Sequence, residues 1–350
     1  MNENGARGAN HRVGRWLAAV LLAVLTVGCA EMRDLVAPSA PGVPDEWAPL
    51  LAEIRAFERR IGFHETDNFH KLDDEQEAFP FCGQVSRLYL PYSYEDPAIR
   101  WLDSVSEKEC REAGRSADAF FGAVEAWGEV GTPVTPSMVA GRIDRFIYLV
   151  IHEDCHDQFD LPYGIEEALC NLITFKGMAL FGGEKFWRFT ASNRAIRRYA
   201  DTQSSLARAT IAYYDQVAAL YARYERAEIS PEALLRERDA IFRKAERALD
   251  WVRGELNNVS LATDMTYARH YPLMESVFKA LGGDLARTVV FFKQIDKLKP
   301  SKAAVLKRHR LASVEDVKFI RAYEAAVVET IQKALSEQAG TAIRRTDYRP

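Results

Sequence analysis

The chain has 350 residues, of which 48% are hydrophobic, and its 46 Lys and Arg against 50 Asp and Glu give a net charge of −4. This composition is typical of a globular protein and excludes collagen-like and disordered classes. Because the net charge is negative, the protein has no overall positive charge with which to attract phosphate groups. We therefore expect no nucleic-acid partner. A chain of this length folds without a structural metal, so any metal site is expected to be functional.

The first 28 residues are predicted to be a lipoprotein signal peptide. Arg7, Arg12 and Arg15 precede an apolar run over 16–27, which is too short to span a bilayer. Leu-Thr-Val-Gly-Cys at 25–29 resembles a bacterial lipobox and predicts lipidation of Cys29, although threonine stands where an aliphatic residue is usual. The alternative is an ordinary secretory signal with an incidental cysteine. We expect a lipid-anchored protein of the bacterial envelope, in the outer membrane and facing the periplasm.

The chain beyond the signal is divided into three parts. A Pro-rich tether is predicted over 29–45, because its run Ala-Pro-Ser-Ala-Pro-Gly-Val-Pro cannot form a helix. One domain follows over 46–338, and 339–350 is expected to be a flexible tail. Lipidation of Cys29 leaves four cysteines, which in an oxidising compartment allow three pairings or remain free thiols: Cys82, Cys110, Cys155 and Cys170.

Apolar residues at spacings of three and four predict a helix over 46–62. The segment 84–94 is rich in Val, Leu and Tyr and is the best strand candidate, as part of a small sheet. Beyond residue 100 the pattern predicts helices over 104–128, 136–160, 163–181, 190–228, 231–256, 258–281, 283–297 and 313–338. The predicted fold class is therefore mainly α (α+β), a helical domain with a small antiparallel sheet.

The motif with the clearest chemistry is His-Glu-Asp-Cys-His at 152–156, an HExxH pattern that ends a strongly apolar helical segment. His152 and His156 share one helical face, so both rings can reach one ion, and Glu153 lies close enough to handle a metal-bound water. Because a catalytic zinc keeps three protein ligands, a third is expected nearby. The next helix offers Glu166 and Glu167, about 100° apart on the helix.

Other segments accompany this motif: Phe-Pro-Phe-Cys-Gly at 79–83, Leu-Tyr-Leu-Pro-Tyr at 88–92, Leu-Tyr-Ala at 220–222, Leu-Asn-Asn-Val-Ser-Leu-Ala at 256–262, Tyr267, and Gly-Gly-Asp-Leu at 282–285. With them the chain resembles the predicted aminopeptidase family of bacterial envelope proteins, which belongs with the gluzincin zinc peptidases. The resemblance spans roughly residues 50–295. It implies a zincin-like domain and a zinc-dependent peptidase, commonly a lipoprotein. Asp154 and Cys155 depart from the family pattern, where apolar or small residues are usual.

The resemblance also implies roles for single residues. Glu166-Glu167-Ala168 matches an Asn-Glu-Ala-like context, which places the third ligand at Glu167 beside His152 and His156. One Zn²⁺ would then activate a water whose proton Glu153 takes. Glu166 would face solvent or orient a ligand histidine, as Asp157 or Asp160 could.

Further candidates lie toward the C-terminus. Tyr267 is a candidate donor to the tetrahedral oxyanion, with Tyr271 and His270 as rivals. Asn257 and Asn258 are predicted to bind the substrate backbone or, alternatively, to form a polar helix junction.

A disulfide between the two metal helices is one of the open pairings. Cys155 could approach Cys170, which lies one helical turn beyond Glu167. A bridge there would pin the two helices together, and free thiols are the alternative.

The predicted function is a zinc-dependent peptidase that acts on a peptide substrate. Its assignment as an aminopeptidase rests on the family resemblance alone. Two alternatives stay open: an envelope endopeptidase that uses the same metal site, and a non-catalytic, zinc-stabilised lipoprotein that serves as a binding module.

Overall fold

The computed structural model describes residues 43–346, except for 76–77, 104, 127, 129–130, 188–189, 250 and 252–253. The predicted signal peptide, Cys29 and most of the tether lie outside the described residues. The described part is mostly helical and contains a three-stranded antiparallel sheet, so the predicted α+β class is confirmed. Within it, every helix is either too short or too polar to cross a membrane.

Three strands and twelve helices make up the described part of the chain. The strands are β1 (Phe79–Val85), β2 (Arg100–Asp103) and β3 (Asp118–Val124). The helices are α1 (Ala48–Ile61), α2 (Glu107–Ala113), α3 (Pro136–Ala140), α4 (Ile143–His156), α5 (Tyr163–Lys185), α6 (Ala191–Glu225), α7 (Pro231–Leu249), α8 (Asn258–Ala268), α9 (Tyr271–Ala280), α10 (Leu285–Leu298), α11 (Lys302–His309) and α12 (Val317–Thr346).

The sheet has the order β2-β1-β3, and β1 is antiparallel to both neighbours. Cys82 in the central strand lies opposite Leu102 of β2 and Phe121 of β3. A disulfide joins Cys82 to Cys110 in α2, with 5.8 Å between their Cα atoms. The bridge therefore ties α2 to the middle strand of the sheet.

The strand prediction over 84–94 was wrong for most of its length. The strand ends at Val85, and the chain then turns, with the Tyr89 amide donating to the Ser86 carbonyl at 3.1 Å. Pro91 has no amide to donate to a ladder. Asp96 holds the following turn, because its carboxylate accepts from the Tyr92 amide at 2.8 Å and the Tyr89 hydroxyl at 3.0 Å.

The helix prediction over 104–128 was also wrong in its second half. A capping box at Ser106 begins α2, but the helix ends at Ala113 before Gly114. The chain then forms β3, whose seven residues pair with β1. Pairing with a distant strand decides the conformation of such a short segment more strongly than its local pattern.

Several predicted helices differ in their limits. The segment 136–160 divides into α3 and α4 at Gly141, whose backbone is extended. The segment 258–281 divides into α8 and α9 near His270, where Pro272 is in the first turn of the second helix. Helix α12 continues beyond 338 to Thr346, into the segment predicted as a tail.

Helices α4 and α5 form the centre of the domain. Every residue from Leu149 to His156 in α4 is buried, as is every residue from Gly164 to Phe175 in α5. A helix that is buried on all sides belongs in the core rather than on the surface.

A disulfide between Cys155 and Cys170 joins these two helices, and the Cα atoms of the pair lie 5.6 Å apart. The four cysteines of the domain therefore form two bridges, and none of the four is a free thiol. Of the pairings that the sequence left open, the structure has Cys82 with Cys110 and Cys155 with Cys170.

The bridge between α4 and α5 should contribute measurably to stability. Both cysteines are fully buried, and they are separated by 15 residues. Closing a loop of this length stabilises a fold by about 3 kcal/mol in the chain-entropy model. We expect the double variant Cys155→Ala, Cys170→Ala to lower the free energy of unfolding by about 2–4 kcal/mol in urea denaturation.

Thiol titration provides the control for this prediction. The unreduced wild-type domain should show no reactive thiol from these four cysteines even in denaturant, and all four should appear after a reductant is added. Reactive thiols in the unreduced, denatured protein, or an unchanged unfolding midpoint in the double variant, would contradict it.

The C-terminal helix α12 packs against the start of α5. Glu324 of α12 is buried and accepts from the Tyr92 hydroxyl at 2.6 Å and from His270 Nε2 at 2.9 Å. A Cβ atom on Gly164 would lie 2.5 Å from Glu324 Oε1. Glycine at this position therefore allows α12 to approach the first turn of the helix that carries Glu167.

Candidate metal centre

Three side chains from α4 and α5 converge on one point. His152 Nε2 lies 3.2 Å from Glu167 Oε2, His156 Nε2 lies 3.5 Å from the same oxygen, and the two nitrogens are 3.4 Å apart. In a tetrahedral zinc site with ligand bonds of about 2.0–2.1 Å, neighbouring ligand atoms are about 3.3–3.4 Å apart. The three atoms therefore have the spacing of three corners of such a tetrahedron.

His152, His156 and Glu167 form a cluster whose polar atoms are better placed to bind a metal ion than to form hydrogen bonds with one another. Glu167 Oε2 is buried and has no hydrogen bond of good geometry. Burial opposes ionisation of this carboxyl, but the close approach of both histidines holds the pKa of Glu167 below its usual range. An ionised, buried carboxylate next to two imidazoles is a donor set that suits Zn²⁺.

Glu166 contacts the His156 ring at the nitrogen that faces away from the cluster. Its Oε1 lies 2.8 Å from His156 Nδ1, and its Oε2 accepts from the Leu161 amide at 2.8 Å. A carboxylate on the far nitrogen fixes the ring so that the other nitrogen faces the ion. Burial opposes the charged imidazole, but Glu166 and Glu167 raise the pKa of His156 well above its usual value.

The two aspartates considered for the same orienting task have other contacts. Asp157 accepts from the Asn68 side-chain amide at 2.7 Å, and Asp160 pairs with Lys299 at 3.1 Å on the surface. Glu166 is thus the residue that the structure places on the far nitrogen of His156. The geometry favours Glu167 over Glu166 as the third member of the cluster.

Glu153 lies beside the cluster and is held by the backbone. Its Oε2 accepts from the Gly128 amide at 2.7 Å. Burial raises the pKa of Glu153, against the opposing effect of both histidines. A carboxylate held in this position can accept a proton and then return it.

Gly128 belongs to the candidate site, although no motif in the sequence indicated it. A Cβ atom at this position would lie 2.6 Å from His156 Cβ and 2.7 Å from the Glu153 carbonyl oxygen. Only glycine allows the backbone to come this close to the HExxH helix. The helix prediction over 104–128 concealed this residue, although a glycine just after a strand could have marked a close backbone approach.

An aromatic side chain covers one of the histidines. The Tyr148 ring stacks on His152 with 5.1 Å between ring centres. The Tyr148 hydroxyl donates to Asn171 of α5 at 3.2 Å. This contact holds the Tyr148 ring in place against the candidate metal centre.

The side chains of Tyr267 and Tyr163 lie close to the carboxylate of Glu167. The charge of Glu167, followed by burial and the charge of Glu153, raises the pKa of Tyr267 well above its usual value. Burial and the charge of Glu167 do the same to the pKa of Tyr163. Both phenols therefore stay protonated and remain hydrogen-bond donors next to the site.

The two alternatives to Tyr267 as the oxyanion donor, Tyr271 and His270, have hydrogen-bond partners elsewhere. The Tyr271 hydroxyl lies 2.6 Å from Ser204 Oγ, and Tyr271 is fully buried. His270 contacts Glu324. The structure therefore brings Tyr267, rather than either rival, toward the carboxylates of the cluster.

Asn257 and Asn258 fix the start of α8. The Asn257 side chain caps the helix by accepting from the amides of Val259 and Ser260, and it donates to the Ala119 carbonyl of β3 at 2.8 Å. Asn258 is fully buried and donates to the Tyr89 carbonyl at 2.9 Å. A fully buried side chain cannot contact substrate, so the structure gives Asn258 the junction role that was the alternative.

Asp154 explains one departure from the family pattern. This buried carboxylate accepts from the Thr66 hydroxyl at 2.5 Å and from the Asn68 side-chain amide at 3.1 Å. Asp154 therefore secures the segment before β1 to the HExxH helix. Cys155, the second departure, forms the bridge to Cys170.

The fold and the cluster define a mostly helical protein with an HExxH helix whose histidines and a following glutamate can hold one divalent metal ion. Residues 66–310 match the family described as "Putative aminopeptidase". This match covers more than half of the chain, which therefore belongs to that family, and the family suggests peptidase activity. Comparison with curated proteins and with solved structures gave no match.

Proposed function

We propose that the protein is a zinc-dependent peptidase in which His152, His156 and Glu167 hold one Zn²⁺ and Glu153 is the general base. The observation that carries this proposal is the 3.2–3.5 Å spacing of the three ligand atoms. When bound, the metal would supply a Lewis acid and a water of lowered pKa.

The protein's own residues carry the proton transfers. Glu153 takes the proton of the attacking water and passes it to the amine that leaves, while the Gly128 amide keeps its carboxylate in place. Glu166 holds the His156 ring through Nδ1. The hydroxyl of Tyr267 donates to the carbonyl oxygen as negative charge develops there.

The same proposal includes export and a lipid anchor. Its support is the basic, apolar and Gly-Cys order of the first 29 residues. The two disulfides among the described residues also suit an oxidising compartment. Cys29 would carry the lipid, and the domain would act on peptides in the bacterial periplasm from the outer membrane.

Metal analysis and a peptide assay test the proposed function together. The purified protein should contain one zinc per chain, cleave peptides, lose activity with a chelator and regain it when zinc is added. The His152→Ala variant should bind less than stoichiometric zinc and be inactive. Peptides with a blocked N-terminus separate the two peptidase types, because an aminopeptidase leaves them intact. A zinc-free, correctly folded wild type would contradict the proposal.

A further inference from the structure

A pocket close to the candidate metal centre contains a carboxylate that the proposed mechanism does not use. The cavity has a volume of about 290 Å³ and is lined by residues of α4, α5, α6, α7 and α8 and by Trp251. We name it the Asp264 pocket. Tyr148 and Tyr267 line it, and these are the residues that stack on His152 and lie close to Glu167. The pocket therefore shares Tyr148 and Tyr267 with the surroundings of the candidate metal centre.

The lining of the Asp264 pocket combines apolar and polar surface in similar amounts. Phe175, Leu206, Leu249 and Trp251 contribute the larger surfaces. Asp264 is the acidic residue among the lining side chains. A wall that offers both apolar surfaces and a carboxylate can take a side chain with an aliphatic stem and a charged end.

Asp264 has no cation beside it among the described residues. The Trp251 indole donates to Oδ2 at 3.1 Å, and this is the hydrogen bond that offsets its burial. Burial raises the pKa of Asp264 to about 7. A positive charge brought into the pocket would favour the ionised carboxylate and offset the cost of its burial.

We infer that the Asp264 pocket binds the side chain of a Lys or Arg residue next to the bond that is cut, with Asp264 as its counter-ion. This inference rests on the proposed peptidase function. The aliphatic stem of such a side chain would pack on Leu206 and Leu249, and its charged end would meet the faces of Trp251 or Phe175.

A pair of peptides that differ only in one charge tests the inference. One peptide carries Arg and the other carries citrulline, which has nearly the same shape and no charge, and mass spectrometry locates the cut. Wild type should cleave beside Arg with a kcat/KM about 10–100 times higher than beside citrulline. Equal rates on the two peptides would overturn the inference, and they would leave the proposed function intact.

Two variants connect the preference to the carboxylate. Asp264→Asn should reduce the preference for Arg to less than about threefold, chiefly by lowering kcat/KM on the Arg peptide. The control Asp201→Asn removes the same charge from an exposed position on α6 and should keep the preference. An undiminished preference in folded Asp264→Asn would also overturn the inference.

Calorimetry separates failure of the pocket from failure of the peptidase proposal. Argininamide should bind to the wild-type protein at least about tenfold more tightly than citrullinamide, and Asp264→Asn should remove the difference. If no peptide is cut while this difference is present, the peptidase proposal fails and the pocket stands. Equal binding of the two amides would contradict the pocket.

Discussion

Replacing Glu153 with Gln should abolish most peptide hydrolysis while zinc stays bound. The amide oxygen of Gln can still accept from the Gly128 amide, so the side chain should keep its place. It cannot take a proton, and loss of a positioned general base costs about 10²–10⁴-fold in rate. Measuring kcat together with zinc content checks both halves of the prediction.

The neighbouring Asp154 provides a matched control. Asp154→Asn makes the same chemical change within the motif, but it weakens the hydrogen bonds from Thr66 and Asn68 instead. We expect this variant to lower the melting temperature and to retain far more activity than Glu153→Gln. Nearly full peptide hydrolysis by Glu153→Gln would contradict its role as general base, whereas unchanged function of this variant in cells would support the non-catalytic binding module.

The second large effect is expected on zinc affinity. Glu167→Gln removes the charged oxygen that lies 3.2 and 3.5 Å from the two imidazole nitrogens, and the zinc Kd should rise by more than about 100-fold. Glu166→Gln leaves the three proposed ligands in place but weakens the contact with His156 Nδ1, which should raise Kd by about 10–100-fold. Competition with a coloured chelator measures both values.

The order of these two effects decides between the adjacent glutamates. If Glu166→Gln loses zinc and Glu167→Gln keeps it, the roles are reversed. Folding of each variant is checked by circular dichroism, because both carboxylates are buried.

The candidate metal ligands could be predicted from the sequence because they lie close together along the chain. His152 and His156 share a face of one helix, and Glu167 lies in the first turns of the next, so helical geometry and a short connection suffice. The choice between Glu166 and Glu167 needed either the family resemblance or the packing of α5 on α4. In the structure, each glutamate meets a different nitrogen of His156.

The sheet and the contacts from distant segments could not be predicted in the same way. β3 forms because it pairs with β1, and Gly128 matters because it lies against Glu153 and His156. Such contacts depend on tertiary packing, which cannot be predicted from the local periodicity of the sequence. The Asn257-Asn258 pair shows the same limit, because the motif alone did not indicate that Asn257 caps α8 or that Asn258 is buried.

The bridge between Cys155 and Cys170 has a consequence for the order of folding. It joins cysteines 15 residues apart, with His156 and Glu167 between them, and contacts over so short a separation form quickly. The α4–α5 hairpin can therefore bring His152, His156 and Glu167 together before Tyr267 or α12 packs against it. Residues that arrive later would close around a cluster that is already formed.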